Sequence, residues 1–591
     1  VFNQGALLFL LFCACSVAVF AQTGVPNVAP MTSWGMEISP DNVHAEYPRP
    51  TLVRPDWLNL NGYWDWKDSD DRQDNFSRRI LVPFPIESTL SRVAQHHERC
   101  VYRRTFEIPG DWDEHSRILL HFGAVDWEAT VFVNGNQIGT HRGGFAPFSF
   151  DITALICYDE PNELVVHVFD PTQNGQQPVG KQSTSPAGIW YTASTGIWQT
   201  VWLEPVPQHY IESLEIHADL DTGKVLILPT FNAFDEYHDE TDQYYTVIAE
   251  AFDGAESVTK AYGGRDGPLL MRFDQAGVKA WSPATPQLYQ VRVQLLHNGT
   301  PVDTVKSYFA FRKIEIRREA GKQPAIYLND KRLFVMGVID QGYWPDGIYT
   351  APSDNARIMD IRVAKSLGFN AIRKHQKIEP ERWYFWCDQW GMLVWQDMPS
   401  GENRSQSAQS QFQSELQRMI LSRKMHPSII AWTIFNEGAG QHQVADYVEL
   451  IRSLDPVRLI NATSGWTDTG LGDFSVSHKF PGPEQGADDT NRAAIIGAFG
   501  GVKLTEPSEH FWTWGHRDVS DSDSLVYLYD QMHQELRNLI QTRGLAGAFF
   551  HQLTDIESEC NGLIFYDRRS LKVPAETIEQ INQETIKLGS H

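Results

Sequence analysis

Cysteine is scarce, positive charge is outnumbered, and the one marked apolar run near the start is too short to cross a membrane comfortably. The chain has six cysteines in 591 residues. Cys100, Cys157, Cys387 and Cys560 are too scattered for a zinc site or a disulfide framework, and read as buried thiols. Lys and Arg number 50 against 74 Asp and Glu. The net charge of -24 repels nucleic acid and anionic membrane surfaces, so neither is expected as a partner. Ala6 to Phe20 is uncharged and apolar but falls short of the roughly 20 residues a span needs. With Val19-Phe20-Ala21 at its end it reads as a signal peptide over 1–21, cleaved before Gln22, which predicts a secreted protein, periplasmic or extracellular. Cys13 and Cys15 would leave with it. No nucleotide- or flavin-binding signature and no repeat of solenoid period is present, so no cofactor is expected.

What is present is a large globular chain. Hydrophobic residues at 42% and charged residues at 21% exclude disorder, and the length suits three or four domains. Nineteen Trp, within an aromatic content of 12%, exceed what cores normally need, and flat apolar sugar faces stack well on such rings. Residues 22–208 carry short, turn-bounded β signals, among them Tyr102 to Ile108, Ala129 to Gly139 and Asn162 to Phe169. Asn134-Gly135 between alternating apolar residues predicts a tight hairpin, and the whole predicts a jelly-roll sandwich. Within it, Gly175 to Tyr191 is irregular and polar, long enough to leave the sandwich, touch another domain and line a site there, or to remain a surface loop. Residues 209–314 continue in strands spaced as in an immunoglobulin-like sandwich.

From 315 to 591 strands alternate with helices over a length close to the roughly 250 residues of a (β/α)8 TIM barrel. Eight strands are predicted at Leu333 to Ile339, Asn370 to Arg373, Leu393 to Gln396, Ile429 to Phe435, Leu459 to Thr463, Ser475 to Ser477, Ala494 to Ala498 and Leu545 to Phe550. The first helix has Ser353 as N-cap, a stripe of Ile358, Ile361, Ala364 and Leu367, and Gly368 to close it. Active sites of such barrels lie at the C-terminal strand ends. Those ends carry Asp340 and Gln341, then Arg373, Lys374 and His375, then Asp397, Asn436 and Glu437, His478, and finally Gln552 and Asp555. Glycosidic bonds are broken by two carboxyl groups, one a proton donor and the other a nucleophile or base. Glu437, where an apolar strand stops abruptly in IIAWTIFNEGAG, suits the donor. A facing carboxylate is expected, and its charge with desolvation should raise the donor's pKa toward neutrality.

The motifs resemble glycoside hydrolase family 2, the β-galactosidase, β-mannosidase and β-glucuronidase family, from about Pro48 to Lys572. In the sandwich these are YRRTF, VNG, GGFAPFSFDIT and GIWQTVWLE. In the barrel they are GVIDQGYWPDGIYTAPSD, the run from Gly368 to Ser400, WTIFNEG and QLTDIESECNGLIFYDR. The resemblance implies Glu437 as general acid/base and Asn436 as a hydroxyl binder. Asp340, Arg373, His375, Asp397, His478 and Trp512 are expected beside the sugar, with Trp514 a possible second face of a stacking platform. It also exposes a departure. The family's nucleophile lies in Gly-Glu-Phe-Gly-Gly, and this chain has Gly497-Ala498-Phe499-Gly500-Gly501. The tyrosine of His-x-Tyr-Pro-Gly-Pro, expected to hold that nucleophile, is Phe480 here.

A general acid alone supplies about 10² to 10⁴ in rate, against the 10⁶ to 10¹⁷ enzymes reach. Three readings therefore stand. Glu506, Glu509, Asp397 or Asp555 activates a water from roughly 6.5 to 9.5 Å and inverts, or one of them has become the nucleophile, or the barrel binds glycans without cutting them. The leading expectation is a secreted, exo-acting β-glycosidase on an oligo- or polysaccharide, and the alternative is an inactive glycan-binding protein.

Overall fold

A computed structural model describes residues 30–69, 75–232, 245–265, 267–505 and 513–591. The apolar leader and Glu506, Glu509 and Trp512 lie outside these residues.

The first sandwich packs a six-stranded sheet on a four-stranded one. The larger runs Arg78–Val82, Gly62–Asp68, Arg99–Phe106, Asn162–Phe169, Glu128–Val133, Asn136–Arg142; the smaller runs Leu58–Asn59, Val201–Val206, Arg117–Phe122, Phe148–Asp151. Alternation in Asn162–Phe169 buries Asn162, Leu164, Val166 and Val168, the period-two pattern of a strand with one buried face. Val133 pairs with Asn136 across Asn134-Gly135. Both turn residues have positive φ, 49° and 77°, as a type I′ hairpin requires. Next comes a smaller sandwich. Its three-stranded sheet contains Ile211–Asp219, Lys224–Phe231 and Leu269–Arg272; its four-stranded sheet contains Glu256–Gly264, Tyr245–Asp253, Tyr289–His297 and Thr300–Phe309.

The barrel strands are β1 (Val335–Asp340), β2 (Ala371–Lys374), β3 (Leu393–Asp397), β4 (Ile429–Asn436), β5 (Leu459–Ser464), β6 (Phe474–His478), β7 (Ala493–Gly500) and β8 (Gly547–His551). They form one sheet, parallel throughout, in the order β5-β4-β3-β2-β1-β8-β7-β6. The ladder is not closed between β5 and β6, where the described pairing is a single bridge of Asn461 to Gly472. Helices α1 (Asp354–Ser366), α2 (Glu381–Trp390), α3 (Gln406–Arg423), α4 (Val444–Leu454), α5 (Ser522–Arg543) and α6 (Ala575–Gly589) follow β1, β2, β3, β4, β7 and β8. The Ser353 hydroxyl caps α1 by accepting from the Ala356 N–H. After β5 and β6, Gly470, Gly472, Pro481, Gly482 and Pro483 interrupt the chain, and no described helix forms there, a departure from strict alternation with a local cause.

Parity decides which side chains face inward. Met336 and Val338 of β1 and Ile372 of β2 pack on the helices, whereas Val335, Ile339 and Ala371 join the barrel interior. Trp395 fills that interior, 4.5 Å from the ring of Phe474 and 5.2 Å from that of Phe549. The barrel is therefore plugged below its rim. In β7 an irregularity between Ile496 and Phe499 shifts the parity, so both of these face the helices and Ala498 faces inward.

Cys100, Cys387 and Cys560 are buried, but Cys157 is exposed. It lies just before the turn into Asn162–Phe169 and not under a sheet. No described helix is long and apolar enough to cross a membrane.

Candidate active site

At the C-terminal rim lies a cavity of about 850 Å³, floored by Ile339, Gln341, His375, Glu437, His478, Ala498 and His551. Trp466, Lys479, Phe480, Trp514 and His516 form one side. The other comes from the sandwich: Lys181, Ala187, Gly188 and Ile189 belong to the irregular Gly175 to Tyr191 segment. That loop is tied to the barrel by backbone bonds from Val179 and Gly180 to the Ser400 carbonyl, 2.8 and 3.0 Å. Gly188 N–H donates to Ser558 Oγ at 3.1 Å, Thr192 N–H to Glu557 at 2.9 Å, and the Tyr191 hydroxyl to Glu559.

Glu437 is held by the end of a strand. β4 is buried throughout, and the backbone turns at Glu437 with φ of 54°, a left-handed conformation costing a non-glycine residue roughly 1–2 kcal/mol. Its N–H is taken by the Ser464 carbonyl at 2.8 Å. His478 Nδ1 donates to Glu437 Oε1 at 2.8 Å. The opposite imidazole nitrogen, Nε2, receives the Ser464 hydroxyl at 2.7 Å and Arg373 Nη1 at 3.2 Å, so the ring is the neutral Nδ1–H tautomer, consistent with burial lowering its pKa. A methyl group on Gly465 would sit 2.9 Å from Glu437 Cγ and 3.1 Å from His478 Nδ1. Only glycine leaves room there.

Behind this pair stands Arg373, 1% exposed. Its Nε and Nη2 bond Asp397 at 2.9–3.1 Å, Nη1 bonds the Gly497 carbonyl at 2.9 Å, and Nη2 bonds Asn436 Oδ1 at 3.0 Å. Asp397 also receives His375 Nδ1 at 2.7 Å. Burial raises the Asp397 carboxyl, but Arg373 and His375 outweigh it and bring it down to about 2. Burial lowers His375 to about 4 against the pull of Asp397, so this imidazole is a neutral donor at pH 7 and the short contact is a hydrogen bond more than an ion pair.

The sign of the shift at Glu437 is a correction. Burial does push it up, but the His478 hydrogen bond, with Lys181 and His375 nearby, brings it down to about 2. The expected rise needed a facing carboxylate, and Glu437 is the sole carboxylate among the described lining residues.

The predicted site residues fall into layers. His375 and His478 line the cavity with Glu437; Arg373, Asp397 and Asn436 are buried behind them. Asp340 is elsewhere. Parity turns it to the helix side with Val338, where it accepts Lys374 Nζ at 2.5 Å and the Gly342 N–H at 2.7 Å, and Lys374 reaches Glu379 at 2.9 Å. Asp555, a candidate replacement carboxylate, is buried against Lys572 at 2.6 Å and does not line the cavity. Trp466, His516 and His551 line it unannounced, whereas Lys181 and Ile189 come from the irregular segment expected to reach a site. Lys181 sits on another domain, and no spacing links it to Glu437.

Two predictions follow from these contacts. Asp340→Asn is expected to lower the unfolding free energy by ~1–3 kcal/mol and to leave sugar affinity unchanged, because its charge serves Lys374. A loss of affinity with stability intact would return Asp340 to the site. His375, whose folded-state pKa lies below its unfolded value of about 6.5, gives stability that is whole above pH 6.5 and lost as pH falls through about 4. Thermal midpoints should fall over that window, and His375→Asn, which keeps a donor but not the titration, should flatten the slope. An unaltered slope would contradict the assignment.

Among the described residues no group of three or more His, Cys, Asp or Glu is placed to hold a metal.

Three domain models of one family match this chain. "Glycosyl hydrolase 2 galactose-binding domain-like" matches 83–197, "Glycosyl hydrolases family 2" matches 209–312, and "Glycosyl hydrolases family 2, TIM barrel domain" matches 320–481. The chain belongs to glycosyl hydrolase family 2. A β-galactosidase of Vibrio vulnificus is 28% identical over 424 residues, 66% of this chain and 38% of the relative. A putative β-glucuronidase of Formosa agariphila is 27% identical over 325 residues, 54% of this chain and 37% of the relative. The chain thus spans less than half the length of these relatives. The solved structure of a β-D-glucuronidase of Dictyoglomus thermophilum has a TM-score of 0.73 at 19% identity, covering 91% of this chain and 98% of that one. A Lactobacillus rhamnosus β-glucuronidase gives 0.75 at 19%, with the same coverage. At such identity the likeness is one of fold.

Proposed function

We propose that this chain is a secreted glycosidase that cleaves β-glycosidic bonds at the non-reducing ends of oligo- or polysaccharides, with Glu437 as proton donor. The observation that carries the reading is the placement of Glu437: it ends β4 on the wall of a rim cavity large enough for sugar rings, hydrogen-bonded through His478 to the buried Arg373. Arg373 donates to the Asn436 oxygen and so fixes this amide directly behind Glu437. Trp466, 60% exposed, and Trp514 offer faces for stacking. The relatives named as β-galactosidase and β-glucuronidase agree with this substrate class.

A second reading, glycan binding without cleavage, is favoured by Ala498 and by the ionised state of Glu437 in the free protein. Arylated β-glycosides of several sugars, assayed with the wild type and with Glu437→Gln, decide between them. Turnover abolished by the substitution supports the enzyme; saturable binding with no turnover in either protein supports the second reading.

A further inference from the structure

The charge of the cavity does not match that of the chain. In a protein of net charge -24, the described lining carries two lysines, Lys181 and Lys479, against the single carboxylate Glu437, beside four imidazoles, those of His375, His478, His516 and His551. Lys479 is paired to Glu484 at 3.0 Å. Lys181 is not: it is 8% exposed, its ammonium lies 5.1 Å from the Trp190 ring centroid, and no hydrogen bond or ion pair joins that ammonium to any described residue. A buried ammonium without an acceptor is costly unless an anion is brought to it.

The wall around Ala498 is of the same kind. His516 stacks on Phe480 with centroids 4.0 Å apart, and His551, whose Nε2 lies 2.6 Å from Glu559, meets the same ring at 5.6 Å; Lys181 and the His516 imidazole are left as donors suited to an oxyanion. Hydrolysis by water requires a base to remove the water's proton, and none of the described lining residues other than Glu437 is a carboxylate. A phosphate dianion requires no base.

We infer that this site takes inorganic phosphate as its nucleophile and cleaves β-glycosides by phosphorolysis with inversion, releasing an α-glycosyl phosphate. The inference rests on Glu437 as proton donor. A phosphate oxygen forms a bond to the anomeric carbon from the face opposite the aglycone, while the bond from that carbon to the aglycone oxygen breaks and leaves its electron pair on the oxygen. The proton of Glu437 goes to that oxygen. From HPO₄²⁻, the glycoside and the protonated glutamic acid, the products are the glycosyl phosphate monoanion, the free aglycone and the glutamate anion; nothing is oxidised or reduced, and solvent returns the proton. The arrangement also restores what Glu437 lacks in the free protein, since a negative charge bound across the cavity raises a carboxylic acid's pKa.

The test uses the full chain with aryl β-glycosides in a phosphate-free buffer, titrated with inorganic phosphate at constant ionic strength, with ³¹P NMR of the products. Expected are turnover that rises with phosphate to saturation, an α-configured sugar 1-phosphate in place of free sugar, and a rise of about 10- to 100-fold in the phosphate KM for Lys181→Met. Ala498→Glu should remove the phosphate requirement or the activity. Equal turnover to free sugar with and without phosphate overturns the inference and leaves the glycosidase reading intact. So does a Lys181→Met defect confined to acidic sugars, which would assign the lysine to a substrate carboxylate or sulfate. No turnover of any glycoside in either buffer, with sugar binding retained, overturns the glycosidase reading and this inference together.

Discussion

Glu437→Gln is expected to lower kcat/KM by about 10² to 10⁴ on glycosides with poor leaving groups, with little change in sugar affinity and a lower thermal midpoint, since a carboxyl brought down to about 2 stabilises the fold as its anion. Glutamine keeps the shape and still accepts the His478 Nδ1–H, so the hydrogen bond at 2.8 Å survives. It has no proton to give. The side chain is 28% exposed on the cavity wall, so the change creates no buried charge and no void. Steady-state kinetics beside a thermal melt separate the two effects. Wild-type activity per folded molecule in the variant would mean that Glu437 acts through the fold, not the chemistry.

Arg373→Met should cost ~3–5 kcal/mol of unfolding free energy, the range for removing one partner of a buried ion pair. The reason lies in the bonds left open. Asp397, 0% exposed, would lose its counter-ion, and the Gly497 carbonyl, the Asn436 oxygen and His478 Nε2 would each lose a donor. Adding Asp397→Leu should recover part of the loss, because the stranded charge is removed as well. Urea unfolding at pH 7 measures both. A single-variant cost below about 1 kcal/mol, or a double variant less stable than the single, would contradict this account of what holds the rim together.

Much of this was legible in the chain. The strands showed in apolar runs that stop at polar residues, so Asn436, Glu437, His478 and Arg373 could be gathered on one rim before any coordinates. Asn134-Gly135 was equally plain. Asp340 was misplaced because strand ends were read without parity: counting inward from Ile339 leaves Asp340 on the helix side with Val338. The direction of the Glu437 shift was also misjudged, since it depends on which charges lie across the cavity. Its neighbours Lys181 and His478 are 256 and 41 residues away in sequence, distances that only folding closes. The polar segment from Gly175 to Tyr191 was visible as irregular, but its reach onto the barrel rests on backbone bonds to Ser400, for which side-chain patterns give no signal.

The central claim is that Glu437 gives a proton to the departing oxygen. Its most direct test is kcat/KM for a series of aryl β-glycosides graded by phenol pKa, in the wild type and in Glu437→Gln. The account predicts a shallow dependence in the wild type and a steep one in the variant, with the two nearly equal for the most acidic phenol, which leaves unaided. Parallel lines separated by a constant factor would contradict it, because a residue that merely holds the sugar is blind to what leaves.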